Sequence, residues 1–150
     1  MTIIVLQGKA GIGKTTVITK LYHKLCALYL RKAYFSENQD GDFTAIFEID
    51  EYIVGITSIG DSAKDLEHPF EVFEKNQCEV CVACSRKKND AGLSKKFVED
   101  KAKDLKARVV SIIKAYTGNW GAKYNAGKET DKINDIQADI LLQEISENLK

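Results

Sequence analysis

The residues Gly8–Thr15 (Gly-Lys-Ala-Gly-Ile-Gly-Lys-Thr) have the types and the spacing of a phosphate-binding loop. Glycines allow the backbone to curl until successive N–H groups point at one anion. In the pattern G-x-x-x-x-G-K-[ST], the lysine reaches the β- and γ-phosphates of a nucleotide and the next hydroxyl can ligate Mg²⁺. We therefore expect Lys14 to neutralise phosphate charge and Thr15 to hold the metal. The predicted cradle comprises Gly8, Lys9, Ala10, Gly11, Ile12, Gly13, Lys14, Thr15 and Thr16.

The residues that flank this segment predict the elements that must position it. Ile3–Leu6 is a short apolar run of mostly β-branched residues, which is typical of a buried parallel strand. Beyond Thr15 the apolar residues recur at three- and four-residue spacing, which predicts a helix from Lys14 to about Lys32. The positive end of the helix dipole would then point at an anion held by the loop. The apolar positions of this helix are Val17, Ile18, Leu21, Leu25, Leu28 and Tyr29.

Through Gly8–Thr15 and its flanks, within Ile3–Leu30, the chain resembles the P-loop NTPase superfamily, where this segment is the Walker A motif. The resemblance is specific to the superfamily and identifies no subfamily. It implies that the chain binds a nucleotide, ATP or GTP, together with Mg²⁺. The alternative is a glycine-rich loop that binds no ligand.

Composition and length bound the classes of protein that the chain can belong to. The 150 residues suit one domain, residues 1–150, and 44% hydrophobic with 29% charged residues is ordinary for a globular protein. A formal net charge of zero predicts no overall attraction to nucleic acid or to a membrane. No apolar run approaches the ~20 residues that span a bilayer. The first strand starts too early for a cleavable signal, and the four cysteines are expected to be reduced thiols, so we expect a cytoplasmic protein.

Two apolar runs, Phe43–Ile49 and Tyr52–Ile59, are separated only by Asp50-Glu51. Parallel neighbours need a crossover of about a dozen residues, so these strands must form an antiparallel hairpin. With the remaining elements, the order β-α-β-β-α-β-α-β-α predicts a three-layer α/β fold: a mostly parallel sheet with one antiparallel hairpin strand and helices on both faces. The remaining predicted elements are a helix starting at Pro69, a strand Cys78–Cys84, a helix from Ser94 to about Ala107, a strand Val109–Ile113 and a helix from Thr130.

A P-loop enzyme also needs an acidic residue near the phosphates, which holds Mg²⁺ or its water. Asp50-Glu51 and Asp61 are the two candidates. In an open sheet, ligands lie outside the carboxyl ends of the parallel strands. If Phe43–Ile49 is the antiparallel member, Asp50 lies at the wrong edge and Tyr52–Ile59 delivers Asp61 to the phosphates. We therefore favour Asp61 as the catalytic and metal-binding acid; its alternative role is to cap a turn or helix.

This layout is also similar to that of small GTPases, which place a hairpin after the first helix and Asp-x-x-Gly at its exit. The matching residues here are Thr57-Ser58-Ile59-Gly60, so the expected aspartate is absent. That departure puts efficient GTP hydrolysis in doubt.

Two basic features accompany the loop. Lys9 resembles the second lysine of the ATPases related to septum-site and nitrogenase iron proteins, a resemblance that implies a nucleotide-bridged homodimer. Ala10 departs from that pattern, and an exposed lysine is the favoured interpretation. Arg86-Lys87-Lys88 follows the Cys78–Cys84 strand at the predicted ligand edge, where an arginine could stabilise a transferring phosphoryl group. A solvated loop is the favoured interpretation here too.

The spacing Cys78-x-x-Cys81-x-x-Cys84 looks like part of an iron–sulfur run. Side chains alternate along a strand, so Cys78 and Cys84 are predicted on one face and Cys81 on the other. Free cysteine is commonly buried, and core packing is the favoured role.

These observations lead to three functional hypotheses. The first is a Mg²⁺-dependent NTPase that hydrolyses the γ-phosphate of a nucleotide, with ATP favoured over GTP. The second is a small-molecule or nucleotide kinase. The third is a non-catalytic switch, in which bound nucleotide orders Ala33–Asp42 or Ser85–Gly92 to recruit a protein partner.

Overall fold

The structure is a computed structural model that describes residues 1–9, 11–88, 92–115 and 126–149. Six strands and four helices lie within these ranges. The strands are β1 (Thr2–Gln7), β2 (Leu30–Ser36), β3 (Phe43–Ile49), β4 (Tyr52–Thr57), β5 (Val80–Ser85) and β6 (Arg108–Ile113). The helices are α1 (Lys14–Leu28), α2 (Ala63–Lys75), α3 (Ser94–Asp104) and α4 (Ala126–Asn148).

The strands form one sheet in the order β2-β3-β4-β5-β1-β6. The pairs β1–β5, β1–β6 and β4–β5 are parallel, whereas β3 is antiparallel to both β2 and β4. Five strands therefore run in one direction and β3 runs against them. The predicted hairpin is confirmed, with Ile49 paired to Tyr52 across its turn. The carboxyl ends of the five aligned strands and the amino end of β3 share one edge, which we call the loop edge.

Helices cover both faces of the sheet, which confirms the predicted three-layer α/β architecture. Alternate strand residues face opposite sides, and two apolar clusters result. One cluster packs α1 and α4 on the sheet, with Leu21, Leu25 and Leu141 fully buried. The other packs α2 and α3, with Phe70 and Phe73 fully buried. A sheet covered on both faces explains why β5 is buried along its entire length.

The predicted end of the first helix is wrong. Helix α1 ends at Leu28, Tyr29 is extended, and Leu30–Ser36 forms β2, a strand that the sequence did not predict. Residues 30–32 were predicted as the end of the helix. Strand β2 pairs along β3, with Tyr34 opposite Ala45. Without β2 the outer edge of β3 would expose its backbone hydrogen-bonding groups, and this long-range pairing outweighs the helical pattern that continues through Leu28 and Tyr29.

The start of the second helix is also earlier than predicted. Helix α2 begins at Ala63, and Pro69 lies inside it rather than in its first turn. Ser62 caps the helix, because its hydroxyl accepts the Asp65 N–H at 3.2 Å. Smaller shifts affect α3, which ends at Asp104, and α4, which begins at Ala126. Within the described ranges, no helix is both long enough and apolar enough to span a membrane.

Candidate functional site

The glycine-rich segment leaves the end of β1 and turns into α1 at the loop edge. Gly11 and Gly13 have φ values of +74° and +94°, in the left-handed region that favours glycine. Gly13 is also the N-cap of α1, so the segment bends sharply where the helix begins. Ala10, the third residue of the predicted cradle, lies outside the described residues. The remaining loop residues have the strand–loop–helix context that the motif requires.

Lys14 folds back over the loop that precedes it. Its ammonium donates to the Gly8 carbonyl at 2.6 Å and to the Lys9 carbonyl at 3.2 Å. Only 6% of the side chain is exposed. Lys9 and Thr16, by contrast, are exposed. A buried cation thus lies at the amino end of α1, where the helix dipole also favours an anion.

Asp61 follows β4 at the same edge, as its strand direction predicted. Its carboxylate Oδ1 lies 3.5 Å from Lys14 Nζ and 3.6 Å from Arg86 Nε, and 61% of its side chain is exposed. The cap of α2 is Ser62 rather than Asp61. The other candidate acid, Asp50, occupies the hairpin turn at the opposite edge of the sheet.

Arg86 is the first residue after β5, the strand that lies between β1 and β4 in the sheet. It is half-buried, whereas Lys87 and Lys88 are exposed. Residues 89–91, which continue this loop, lie outside the described residues. The structure therefore brings Arg86 to Asp61, which also lies close to Lys14, and leaves Lys87 and Lys88 exposed.

Asp42 is a site residue that sequence reasoning missed. Its Oδ1 accepts a hydrogen bond from the Thr15 hydroxyl at 3.1 Å and from the Ser58 hydroxyl at 2.9 Å. Its Oδ2 accepts from Asn38 Nδ2 at 2.8 Å. The sequence pattern indicated only a polar turn over Ser36–Asp42. The predicted hairpin could have identified Asp42, because an antiparallel β3 has its amino end, and hence Asp42, at the loop edge.

These side chains surround one polar cavity of about 370 Å³. Of the predicted cradle, Gly11, Gly13, Lys14 and Thr15 line it. The other lining residues are Asn38, Asp40, Asp42, Ser58, Ile59, Gly60, Asp61 and Asp65.

Two buried polar residues that no sequence motif indicated, Lys114 and Asn134, lie next to Gly13 of the loop. Lys114 follows β6, is 3% exposed and donates to the Ala115 carbonyl at 2.7 Å. Burial lowers the pKa of Lys114, because removal from water disfavours the charged amine. Asn134 of α4 is equally buried, and among the described residues its Oδ1 has no hydrogen-bond partner. A Cβ added at Gly13 would lie 3.5 Å from the Asn134 amide nitrogen, so Gly13 packs against the Asn134 side chain.

The cysteines Cys78, Cys81 and Cys84 are buried, and Cys26 is exposed. Cys84 packs on the α1 side and Cys81 on the α2 side, as predicted, but Cys78 lies with Cys81. That prediction failed because β5 begins at Val80, so strand alternation does not govern Cys78. Burial raises the pKa of Cys84 to about 12. Among the described residues, no three His, Cys, Asp or Glu side chains form a group that could hold a metal.

A mostly parallel sheet with a glycine-rich loop between its first strand and first helix defines an α/β protein of the P-loop NTPase type. Comparison with family models is more specific: the model described as RNA helicase matches residues 4–112, from β1 to β6. The match spans well over half of the chain, so the chain belongs to this RNA helicase family. No curated protein and no solved structure matches the chain significantly.

Proposed function

We propose that this protein binds a nucleoside triphosphate at Gly8–Thr16 and hydrolyses its γ-phosphate with Mg²⁺, using ATP in preference to GTP. The observation that carries the proposal is the buried Lys14 ammonium at the wall of a polar cavity, at the amino end of α1. Its neighbours there are loop carbonyls and one exposed carboxylate, which leaves the ammonium free to turn toward a phosphate. Membership of a P-loop NTPase-type family supports the same reading.

Each residue has a defined role in this proposal. The loop amides and the α1 dipole hold the phosphates, and Lys14 neutralises the charge that develops during transfer. Thr15 and a carboxylate of the cavity fit Mg²⁺, because both offer the hard oxygen ligands that this ion prefers. The bound ion would neutralise charge on the β- and γ-phosphates. Asp61, which lies 3.5 Å from Lys14 and 3.6 Å from Arg86, holds these two cations or orients the attacking water, and Arg86 stabilises the transferring group.

RNA is the second partner that we propose. Its support is the family match, since the family is described as RNA helicase. The formal net charge of zero indicated no nucleic-acid partner, so any RNA contact must be local rather than a whole-surface attraction. The exposed Lys87 and Lys88, which follow Arg86 after the carboxyl end of β5, are suited to contact phosphates of an RNA strand.

The test is calorimetric titration with ATP and with GTP, each with and without Mg²⁺. For Lys14→Ala we expect affinity to fall by about tenfold to a hundredfold, because a hydrogen bond to a charged group is worth about 1.5–3 kcal/mol. Lys9→Ala is the matched control, since it removes an exposed lysine from the same loop. Retained affinity in Lys14→Ala, with an unchanged circular dichroism spectrum, would refute the site.

Turnover measurements separate the hypotheses within this class. An NTPase releases phosphate in the absence of any second small substrate, and RNA should accelerate that release. A kinase would require an acceptor, and a non-catalytic switch would bind nucleotide without turnover while recruiting a protein partner. Lys9 is exposed and can therefore reach the nucleotide of a second copy of the chain. Such a homodimer would appear as a change in oligomeric state when ATP binds. We place this activity in the cytoplasm, where four free thiols stay reduced.

A further inference from the structure

We propose that Asp42, from the loop before the antiparallel strand, supplies the carboxylate that holds the metal together with Thr15. This inference rests on the proposed function and names a residue of the same site. It assigns Asp61 a different task, which is to hold the cations Lys14 and Arg86.

The first step is the position of the loop. Residues 37–42 connect the carboxyl end of β2 to the amino end of β3, and both ends lie at the loop edge because β3 runs against its neighbours. The Glu37 N–H donates to the Asp42 carbonyl at 2.9 Å, which closes the loop. Asp42 therefore faces the start of α1 although 27 residues separate it from Thr15.

The second step is the geometry of the oxygens. Mg²⁺ requires octahedral ligands at about 2.0–2.1 Å, which places adjacent ligand oxygens about 2.9 Å apart. The Thr15 hydroxyl lies 3.1 Å from Asp42 Oδ1, close to that spacing. The pair can thus bind one ion side by side after a small adjustment. Phosphate oxygens and water would supply the remaining ligands, as is usual for Mg²⁺ in nucleotide sites.

The third step is preorganisation of the carboxylate. Ser58 is 3% exposed; its hydroxyl donates to Asp42 Oδ1 at 2.9 Å and accepts the Phe43 N–H at 3.0 Å. Asn38 donates to Asp42 Oδ2, and its own oxygen accepts the Asp42 N–H at 3.1 Å. Both carboxylate oxygens are therefore held in place before a metal arrives. Ser58 and Asn38 act as positioning residues.

The fourth step is charge. Among the described residues, no lysine or arginine forms an ion pair with Asp42. Asp61, in contrast, lies within 4 Å of both Lys14 and Arg86. A carboxylate that faces two cations attracts a divalent ion less than one that faces hydroxyls. The charge distribution therefore favours Asp42 as the metal ligand. Asp61 instead positions Lys14 and Arg86, the two cations that would contact the phosphates.

The experiment measures how much Mg²⁺ strengthens ATP binding, as the ratio of the dissociation constants without and with the ion. Asp42→Asn should reduce this ratio by more than about tenfold and leave Mg²⁺-free affinity at or above wild type, since one negative charge is lost. Asp61→Asn should keep the ratio. Asp50→Asn, at the opposite edge, is the charge-matched control. Asparagine at position 42 still offers an oxygen to Thr15 and Ser58 and loses only the hydrogen bond from Asn38, and an unchanged circular dichroism spectrum checks that the variant is folded.

Electron paramagnetic resonance of Mn²⁺ with ATP gives a second readout that does not depend on turnover. The Mn²⁺ signal of the complex should change in Asp42→Asn and not in Asp61→Asn. Ser58→Ala should lower the Mg²⁺ ratio by a smaller factor, with unchanged Mg²⁺-free affinity, which a purely structural role would not produce. A wild-type ratio in Asp42→Asn would overturn this inference alone. Absence of ATP binding by the wild type, with or without Mg²⁺, would overturn the proposed function itself.

Discussion

Gly60 lies between β4 and α2 at the wall of the cavity, where the chain passes against the end of β5. A Cβ added there would lie 2.3 Å from Cys84 Cβ, 2.6 Å from the Cys84 carbonyl carbon and 2.8 Å from its oxygen. Ordinary carbon contacts are about 3.5–4.0 Å, so Gly60→Ala requires the two segments to separate by more than about 1 Å. Two of the three atoms belong to backbone of a fully buried residue, so no side-chain rotation relieves the contact.

The expected cost follows from two opposing terms. Overpacking a core typically costs about 1–3 kcal/mol, and we expect the upper end because backbone must move. Replacing glycine by alanine also restricts the unfolded chain, which stabilises the protein by about 0.4–1 kcal/mol. The net loss is therefore about 2 kcal/mol of unfolding free energy. For a chain of this size that corresponds to a fall of about 4–8 °C in melting temperature.

Urea denaturation followed by far-UV circular dichroism measures this loss. The midpoint should fall while the dependence of free energy on urea stays unchanged. The matched control is a double-mutant cycle with Cys84→Gly, which removes the nearest atom but leaves the carbonyl contacts. The double variant should lose at least about 0.5 kcal/mol less than the sum of the single variants. A Gly60→Ala protein as stable as wild type, or strictly additive losses, would refute the reasoning.

Two further predictions concern stability. Ser62→Ala removes the cap of α2 and should cost about 1 kcal/mol in urea denaturation, whereas Ser62→Gly should cost only a few tenths; equal losses would contradict the capping role. The lowered pKa of the buried Lys114 means that the native state releases its proton before the unfolded state does as pH rises. As the pH rises from the lowered native pKa of Lys114 to the unfolded value of about 10.4, wild type should therefore gain stability relative to Lys114→Met. If the difference in unfolding free energy between the two proteins stays constant from pH 7 to 10.5, the lowered pKa is refuted.

Much of the fold was readable from the sequence because its signals are local. Glycines at fixed spacing, an apolar strand and an amphipathic helix all act within a few residues, so the first strand, the loop and the start of the first helix were predicted correctly. The helix ends at Leu28 rather than near Lys32. The hairpin of β3 and β4 was equally secure, since two residues cannot connect parallel neighbours. The direction of β4 then predicted that Asp61 lies at the loop edge, where the structure has it.

Other features depend on contacts between distant residues, and only the tertiary structure decided them. Strand β2 forms because its backbone hydrogen-bonds to the outer edge of β3, and this pairing outweighs the local helical pattern. That strand returns residues 37–42 to the loop edge and brings Asp42 to Thr15, across 27 residues of chain. The insertion of β5 between β1 and β4 likewise brings Arg86 to Asp61. Sequence by itself determined the glycine-rich loop between β1 and α1 and the class of fold, because backbone geometry there follows from residue type. Which carboxylate meets the loop depends on strand order, and strand order follows from long-range pairing.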